Sequence, residues 1–246
     1  MRKDARLQQI LDIVDQRGCT TAEYLSQVFF VSLPTIYRDL RELARRKLIV
    51  HNRGLIQRAQ IQAVTTPIDF RRTINAEAKA AIAKAALQLI RDHSTIFLDA
   101  STTVSYLIDY LPQFQDLTVV TNGLVTAMHL NHAGVRTFCL GGAPVENSLA
   151  VDGQQGLLRH FKIDTLLFST YGITDGGQIV DPSEAETGLR RYVLHRSATS
   201  VLLCDKSKFG KSSLFNVASL RSVDYLVTDA DLTPEQAPVK RRLIRV

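Results

Sequence analysis

Three arginines in the stretch VSLPTIYRDLRELARRKLIV, residues 31–50, are spaced for a chemistry that packing alone does not require. At about 100° per residue, Arg38, Arg41 and Arg45 fall on one face of a helix, and Ile36, Leu40 and Leu43 fall on a face roughly opposite. One side packs; the other offers guanidinium groups. Guanidinium forks pair with phosphate oxygens or with O6 and N7 of guanine, so the expected partner is a polyanion, double-stranded DNA in particular. A second set of polar residues follows short β-rich runs: Asp99, Ser101, Thr102 and Thr103; Thr121 and Asn122; Gly141 and Gly142; Ser169 and Thr170; Asp205, Lys206 and Lys208. Hydroxyls and free amides at a helix start hold phosphate, glycines admit a close backbone, and a lysine supplies counter-charge. Each residue alone is equally a capping or turn residue; as a set they describe an anion-and-polyol pocket.

To present the arginines, the chain needs a small helical head. A first helix is expected over residues 4–17, with Leu7, Ile10, Leu11 and Val14 as its apolar stripe and Gly18 as its stop. A second opens at Thr20, which with Glu23 forms a T-x-x-E capping box, and buries Leu25, Val28 and Phe29. Ser32 caps the third, and Pro34 suits its first turn. Ser32, Leu33, Thr35, Tyr37 and Arg38 make up the helix start that a helix-turn-helix inserts into the major groove; Arg41, Arg45 and Arg46 are placed for phosphates. Residues 48–50 and Leu55 with Ile56 suit a two-stranded hairpin whose tip carries Arg53, a further phosphate or minor-groove contact. A helical bundle with a solvated basic face, or a protein-binding head, is the alternative.

The charge map agrees with a separate head. Of the net +6, residues 1–58 contribute +5, residues 59–239 contribute −3, and the tail 240–246 adds four basic residues. Three cysteines with no paired or zinc-ligand spacing fit a reducing compartment. The start MRKDARLQQI leads into no signal-peptide core, and no run approaches the roughly 18 apolar residues of a membrane span. A cytoplasmic chain with no membrane partner is expected.

Residues 58–74 read as a linker of weak periodicity, and Asn75 as the cap of an alanine-rich helix of about fifteen residues. Beyond it, TIFLD, LTVVTN, VRTFCLGG, DTLLFST, SVLLCD and DYLVTD alternate with helical stretches, the pattern of a mostly parallel sheet covered on both faces. The polar residues above all sit at strand ends, on the carboxyl edge where such sheets bind ligands.

On Arg6, Ile10, Leu11, Gly18, Leu25, Val31, Ser32, Thr35, Ile36, Arg38, Asp39, Leu40, Leu43 and Leu48 the head resembles the winged helix-turn-helix of the DeoR family of bacterial transcriptional regulators. Tyr37, Lys47 and the wing residues His51 to Gly54 depart from that pattern. The second domain resembles the family's sensor domain, similar in fold to ribose-5-phosphate isomerase, at Asp99, Thr102, Thr103, Thr121, Asn122, Gly141, Gly142, Gly172, Ile173, Asp205, Ser207, Lys208, Phe209 and Gly210. Ser101 and Tyr171 depart from it. The resemblance implies an α/β fold with an N-terminal winged helix-turn-helix (1–57), a linker (58–74) and a larger, mostly parallel α/β sensor (75–246). It also implies a repressor of a carbohydrate operon, a phosphorylated sugar or related metabolite as effector, and a homo-oligomer.

The competing reading is a phosphosugar isomerase or deaminase-like enzyme with a DNA-binding head; a third is a DNA-binding scaffold with no small ligand. Asp99, Asp175, Glu184 and Glu186 are acids of the right type for isomerisation, but no spacing among them demands catalysis. Glu184 and Glu186 read equally as first-turn acids of a helix. His129 and His132 form an i, i+3 pair with no evident third metal ligand. No cofactor, metal or catalytic residue is expected.

Overall fold

The computed structural model describes residues 3–17, 19–46, 48–52, 55–58, 68–143, 145 and 155–246. Gly18, Lys47, Arg53, Gly54 and the middle of the expected linker, 59–67, lie outside the described residues. The chain divides into two compact units, Met1–Ile74 and Asn75–Val246. The expected linker is therefore not all connector: its end folds as helix α4 (Ile68–Thr73), and Ile74 packs against the first unit's core.

In the first unit, α1 (Lys3–Arg17), α2 (Ala22–Phe29) and α3 (Leu33–Arg45) precede the hairpin β2 (Ile49–Asn52) and β3 (Leu55–Arg58). Leu7, Ile10, Leu11 and Val14 are all buried, with Leu25, Ile36, Leu40, Leu43 and Ile56. The sheet has three strands rather than two, because β1 (Cys19–Thr20) pairs antiparallel with β3 in the order β1-β3-β2. With Thr20 opposite Ile56, the cap of α2 moves one residue on: Thr21 is extended, and its hydroxyl accepts from the Tyr24 amide at 3.2 Å. Ala22 and Leu25 then take the core side, and Val28, expected inside, stands 40% exposed. Ser32 holds the N-cap backbone of α3, but its hydroxyl pairs with Thr35 Oγ1 at 3.0 Å instead of capping an amide.

Two contacts set the tilt of α3. Arg6 on α1 donates to the buried Asp39 of α3 at 2.5 and 3.3 Å. The turn before α3 is closed by Val31 N and the Phe30 amide, both donating to Ser26 O, and by Ser26 Oγ donating to Val31 O at 2.6 Å. Phe30 makes this turn in the left-handed region, φ 52° and ψ 41°. A side chain there costs roughly 1–2 kcal/mol relative to ordinary backbone.

The second unit holds a seven-stranded sheet built from β4 (Thr95–Leu98), β5 (Thr118–Thr121), β6 (Arg136–Cys139), β7 (Ile163–Phe168), β10 (Ser197–Leu203), β12 (Tyr225–Thr228) and β13 (Arg242–Arg245). Their order is β13-β12-β10-β7-β4-β5-β6, and every pairing in it is parallel. Alternate residues feed two cores. Leu98, Val119, Val201 and Leu203 face one; Phe97, Val120, Phe168 and Leu202 face the other. Helix α5 (Ala76–Ala86) covers the first with Ile82, Ala83 and Ala86, and α8 (Glu184–Leu194) covers the second with Leu189 and Val193. Helices α6 (Leu124–His132) and α7 (Gln155–Leu158) complete the layers.

Several expected details differ. Asn75 is left-handed (φ 54°) and its side chain makes no cap bond; α5 runs eleven residues before a 3-10 turn at Leu87–Leu89. A second sheet of β8 (Gly172–Ile173), β9 (Gln178–Asp181) and β11 (Phe215–Ser219), antiparallel in the order β11-β9-β8, arises where the sequence suggested only connection and helix. From β4 the strand order runs outward one way to β5 and β6, and from β7 the other way to β10, β12 and β13. The carboxyl ends of β4 and β7 therefore form the topological switch point, the usual place for a ligand crevice.

Candidate functional site

The arginine face of α3 is realised. Arg38, Arg41 and Arg45 are exposed, opposite buried Ile36, Leu40 and Leu43. Ser32 and Leu33 at the helix start are exposed and Thr35 is half-buried. Tyr37, expected with the groove-facing group, instead packs against the head core, since it lies only about 100° round the helix from Ile36. The three arginines are also not equivalent. Arg45 donates to both oxygens of Glu42 at 2.9 and 3.0 Å, and Arg46 Nε donates to Glu42 Oε1 at 2.7 Å. Hydrogen bonds from Arg45, then Arg46, hold the Glu42 carboxyl down at about 2. Arg38 and Arg41 make no ion pair among the described residues, so they are ready for phosphate or base edges while Arg45 must exchange a partner.

At the switch point the expected polar residues are present, and nearly all are buried: Asp99, Thr102, Thr103, Thr121, Asn122, Ser169, Thr170 and Asp205. Asp99 is not an open ligand group. Its Oδ1 accepts from Ser101 N at 3.0 Å, and its Oδ2 accepts from Ser169 N at 3.1 Å and Arg190 Nε at 3.0 Å. Arg190 also donates to Asp181 at 2.8 Å and Glu186 at 2.9 Å. Burial opposes the charge on Arg190, but Asp181, Glu186 and Asp99 outweigh it and keep the guanidinium firmly protonated. A carboxylate 2% exposed needs such a counter-charge, and α8 delivers it.

A second cluster lies at the ends of β4 and β10. Lys79 of α5 is 3% exposed, and its Nζ donates to Thr102 Oγ1 at 3.1 Å. Asp205 Oδ1 accepts from Asn75 Nδ2 at 2.9 Å and from Ser207 N at 3.0 Å and Oγ at 2.5 Å. Burial raises the Asp205 pKa, but the Ser207 hydrogen bonds and the charges of Lys208 and Lys79 outweigh it and hold it below the ordinary value. Its Oδ2 is buried with no hydrogen-bond partner among the described residues. Lys208 is half-buried on the 3-10 turn Lys206–Lys208. Gly172 keeps this loop close: a Cβ there would sit 2.6 Å from Lys211 Cβ.

The remaining expected ligands divide. Ser101 Oγ accepts from Val104 N at 3.3 Å and Thr121 Oγ1 from Gly123 N at 3.0 Å, so both close turns. Gly141 and Gly142 are exposed after β6, the edge strand, two strands from β4 and away from the switch point. A Cβ on Gly141 would meet nothing within 4 Å, so no close approach among the described residues requires a glycine there. Asp175, Glu184, His129 and His132 are exposed, and no three potential metal-ligating side chains cluster among the described residues.

Lys79 and Arg190 were missed in the sequence. Both sit on apolar stripes, Lys79 with Ile82, Ala83 and Ala86, Arg190 with Leu189 and Val193. A charge placed on the buried face of a helix was the available signal.

The description "DeoR-like helix-turn-helix domain" matches residues 6–62, and "DeoR C terminal sensor domain" matches residues 74–230. The glycerol-3-phosphate regulon repressor of Escherichia coli is 30% identical over 94% of this chain and 92% of its own length. The L-fucose operon activator of Haemophilus influenzae is 33% identical over 91% and 90%. Among solved structures, the Pyrococcus horikoshii translation initiation factor eIF-2B shares the fold with TM-score 0.50 and 15% identity over 91% of this chain and 86% of that one. A D-ribose-5-phosphate isomerase in complex with phospho-erythronic acid aligns with TM-score 0.43 and 18% identity over 55% and 54%.

Proposed function

Since the chain belongs to the DeoR family of transcriptional regulators, we propose that it represses a carbohydrate-metabolism operon and releases DNA when a phosphorylated sugar or related metabolite binds its sensor. One relative is named as the repressor of a glycerol-3-phosphate regulon and another as the activator of a fucose operon, so effectors of the sugar and polyol class suit the fold. In this reading Arg38 reads base edges with Leu33 and Thr35, Arg41 and Arg45 hold phosphates, and Ser32 and the wing steady the helix.

The observation that carries the sensor reading is the buried Lys79 ammonium against Thr102 Oγ1, just beyond the carboxyl end of β4. Lys79 lies within the field of Asp205, and its ammonium together with the Thr102 hydroxyl offers the charge-assisted hydrogen bonds that suit a phosphate. The effector's phosphate is assigned to Thr102, Thr103 and Lys79, with Lys208 contributing charge from its loop. Asn122 and the unpartnered Oδ2 of Asp205 are assigned to sugar hydroxyls. Asp99 supports the site through Arg190 instead of touching the ligand, and Ser101, Thr121, Gly141 and Gly142 are given no direct contact.

The same arrangement favours binding without turnover. Asp99 is held by two backbone amides and by the Arg190 guanidinium, so three of its roughly four acceptor sites are engaged in structure, which supports a positioning role over that of a general base. We place the protein in the cytoplasm, with the DNA a transcriptional regulator must reach, and as a homo-oligomer, since helix-turn-helix proteins bind paired half-sites as dimers.

Calorimetric titration of the full chain with a panel of sugar phosphates, with and without operator DNA, tests this. One compound is expected to bind and to weaken DNA affinity; a tenfold effect corresponds to a coupling of about 1.4 kcal/mol. Lys79→Met abolishes that response and Lys208→Ala reduces it, with DNA binding intact in both. A Lys79→Met protein that responds like wild type rules out the assigned phosphate site, and sustained turnover of any panel member restores the enzyme reading.

A further inference from the structure

Phe30 stands in the turn between α2 and α3 with 95% of its surface exposed, beside neighbours Phe29 and Val31 that both pack against the head core. The turn itself does not need the ring. Its closure rests on the Phe30 and Val31 amides at Ser26 O and on the Ser26 hydroxyl at Val31 O, none of which involves the Phe30 side chain. The left-handed backbone there is one that glycine adopts without penalty and that asparagine tolerates. Two costs therefore coincide at one position: a strained backbone and a fully hydrated aromatic. Where a fold retains such a residue without using it, the outlier points to a contact made elsewhere.

Its position says with what. Phe30 lies three residues before Leu33, which is itself exposed at the start of α3, and Val28 is exposed on the other side of the turn. The same helix presents Arg38, Arg41 and Arg45. An apolar ring at the leading end of a triply basic helix matches a partner that is anionic yet carries apolar groups in its groove. Duplex DNA is such a partner, because each thymine projects a 5-methyl group into the major groove.

Resting on the reading of α3 as the recognition helix, we propose that Phe30 is a specificity-determining DNA contact whose ring packs on a thymine methyl beside the base pairs read from the start of α3. The helix start brings the preceding turn to the lip of the groove, where an exposed ring loses water on contact and discriminates thymine from cytosine without a hydrogen bond.

The test uses the full chain and a duplex chosen by in vitro selection from a randomised pool. Phe30→Gly and Phe30→Asn, which suit the left-handed turn, are expected to melt no lower than wild type and to bind the selected duplex at least about fourfold more weakly, with unselected duplex little affected. Replacing thymines one at a time by uracil removes single methyl groups. At one position wild type loses a similar factor, and Phe30→Gly is indifferent to the change. Affinity of Phe30→Gly within twofold of wild type overturns the proposal. So does a loss accompanied by a changed oligomeric mass in the absence of DNA, which makes Phe30 a protein contact. Arg38→Ala separates the two readings: if it loses selectivity and Phe30→Gly does not, only the Phe30 contact fails, and if neither does, the recognition-helix reading fails with it.

Discussion

Arg190→Met removes one cation from beneath three carboxylates. Asp99, Asp181 and Glu186 lose partners at 3.0, 2.8 and 2.9 Å, and the first two are themselves buried. Methionine refills the volume, so the loss is chiefly uncompensated charge, for which breaking a buried pair costs about 3–5 kcal/mol. At roughly 2–4 °C per kcal/mol for a unit of this size, the sensor transition falls by about 6–20 °C. Adding Asp99→Asn and Asp181→Asn relieves the repulsion and recovers part of the loss at neutral pH. Urea and thermal unfolding of the three proteins at neutral pH measure it. A loss under about 1 kcal/mol, or no recovery in the combined variant, refutes the idea that Arg190 compensates this edge.

Arg38→Ala is expected to cost about 1–3 kcal/mol on operator and to relax specificity, whereas Arg41→Ala and Arg45→Ala weaken all duplexes and flatten the salt dependence by about one unit of slope, measured by titration at several salt concentrations. Glu42→Gln removes the carboxylate that engages Arg45 and Arg46; non-specific affinity rises and the salt slope steepens in the same assay. The Asp205 carboxyl is held below its ordinary value, so its contribution to stability is complete above about pH 4 and is lost as pH falls through the folded value. Asp205→Asn therefore flattens the stability curve below about pH 4, and an acid-unfolding profile unchanged by the substitution contradicts the assigned environment.

What was legible in the sequence follows from period. Leu7, Ile10, Leu11 and Val14, and Ile36, Leu40 and Leu43, repeat as helical stripes and are buried; the apolar runs around Phe97, Val120, Phe168 and Leu202 read as strands covered on both faces because they are. The strand-end polar residues were legible as positions, since a parallel sheet puts them on one edge. Their roles were not. Whether Asp99 faces a ligand or a guanidinium depends on Arg190, ninety-one residues away, and no local pattern encodes that distance. Two adjacent threonines cannot be told apart as caps until β1 claims Thr20 for pairing. Strands as short as Gly172–Ile173 carry too few residues to show alternation.

The all-parallel order of the large sheet also sets a timetable for synthesis. Among the described residues the head's core draws on none beyond Ile74, but β4 gains its inner neighbour only when β7 emerges, with Ile96 paired to Thr165. β13 follows every other strand of this sheet in the chain and pairs with β12. At elongation rates of roughly 5–20 residues per second, the stretch from Ile74 to the end of β13 at Arg245 takes on the order of 10 to 30 s, and a completed head leads the closed sheet on the ribosome by that interval. During that interval a nascent chain carries its arginine helix with no sensor to govern it, tethered to the message it came from.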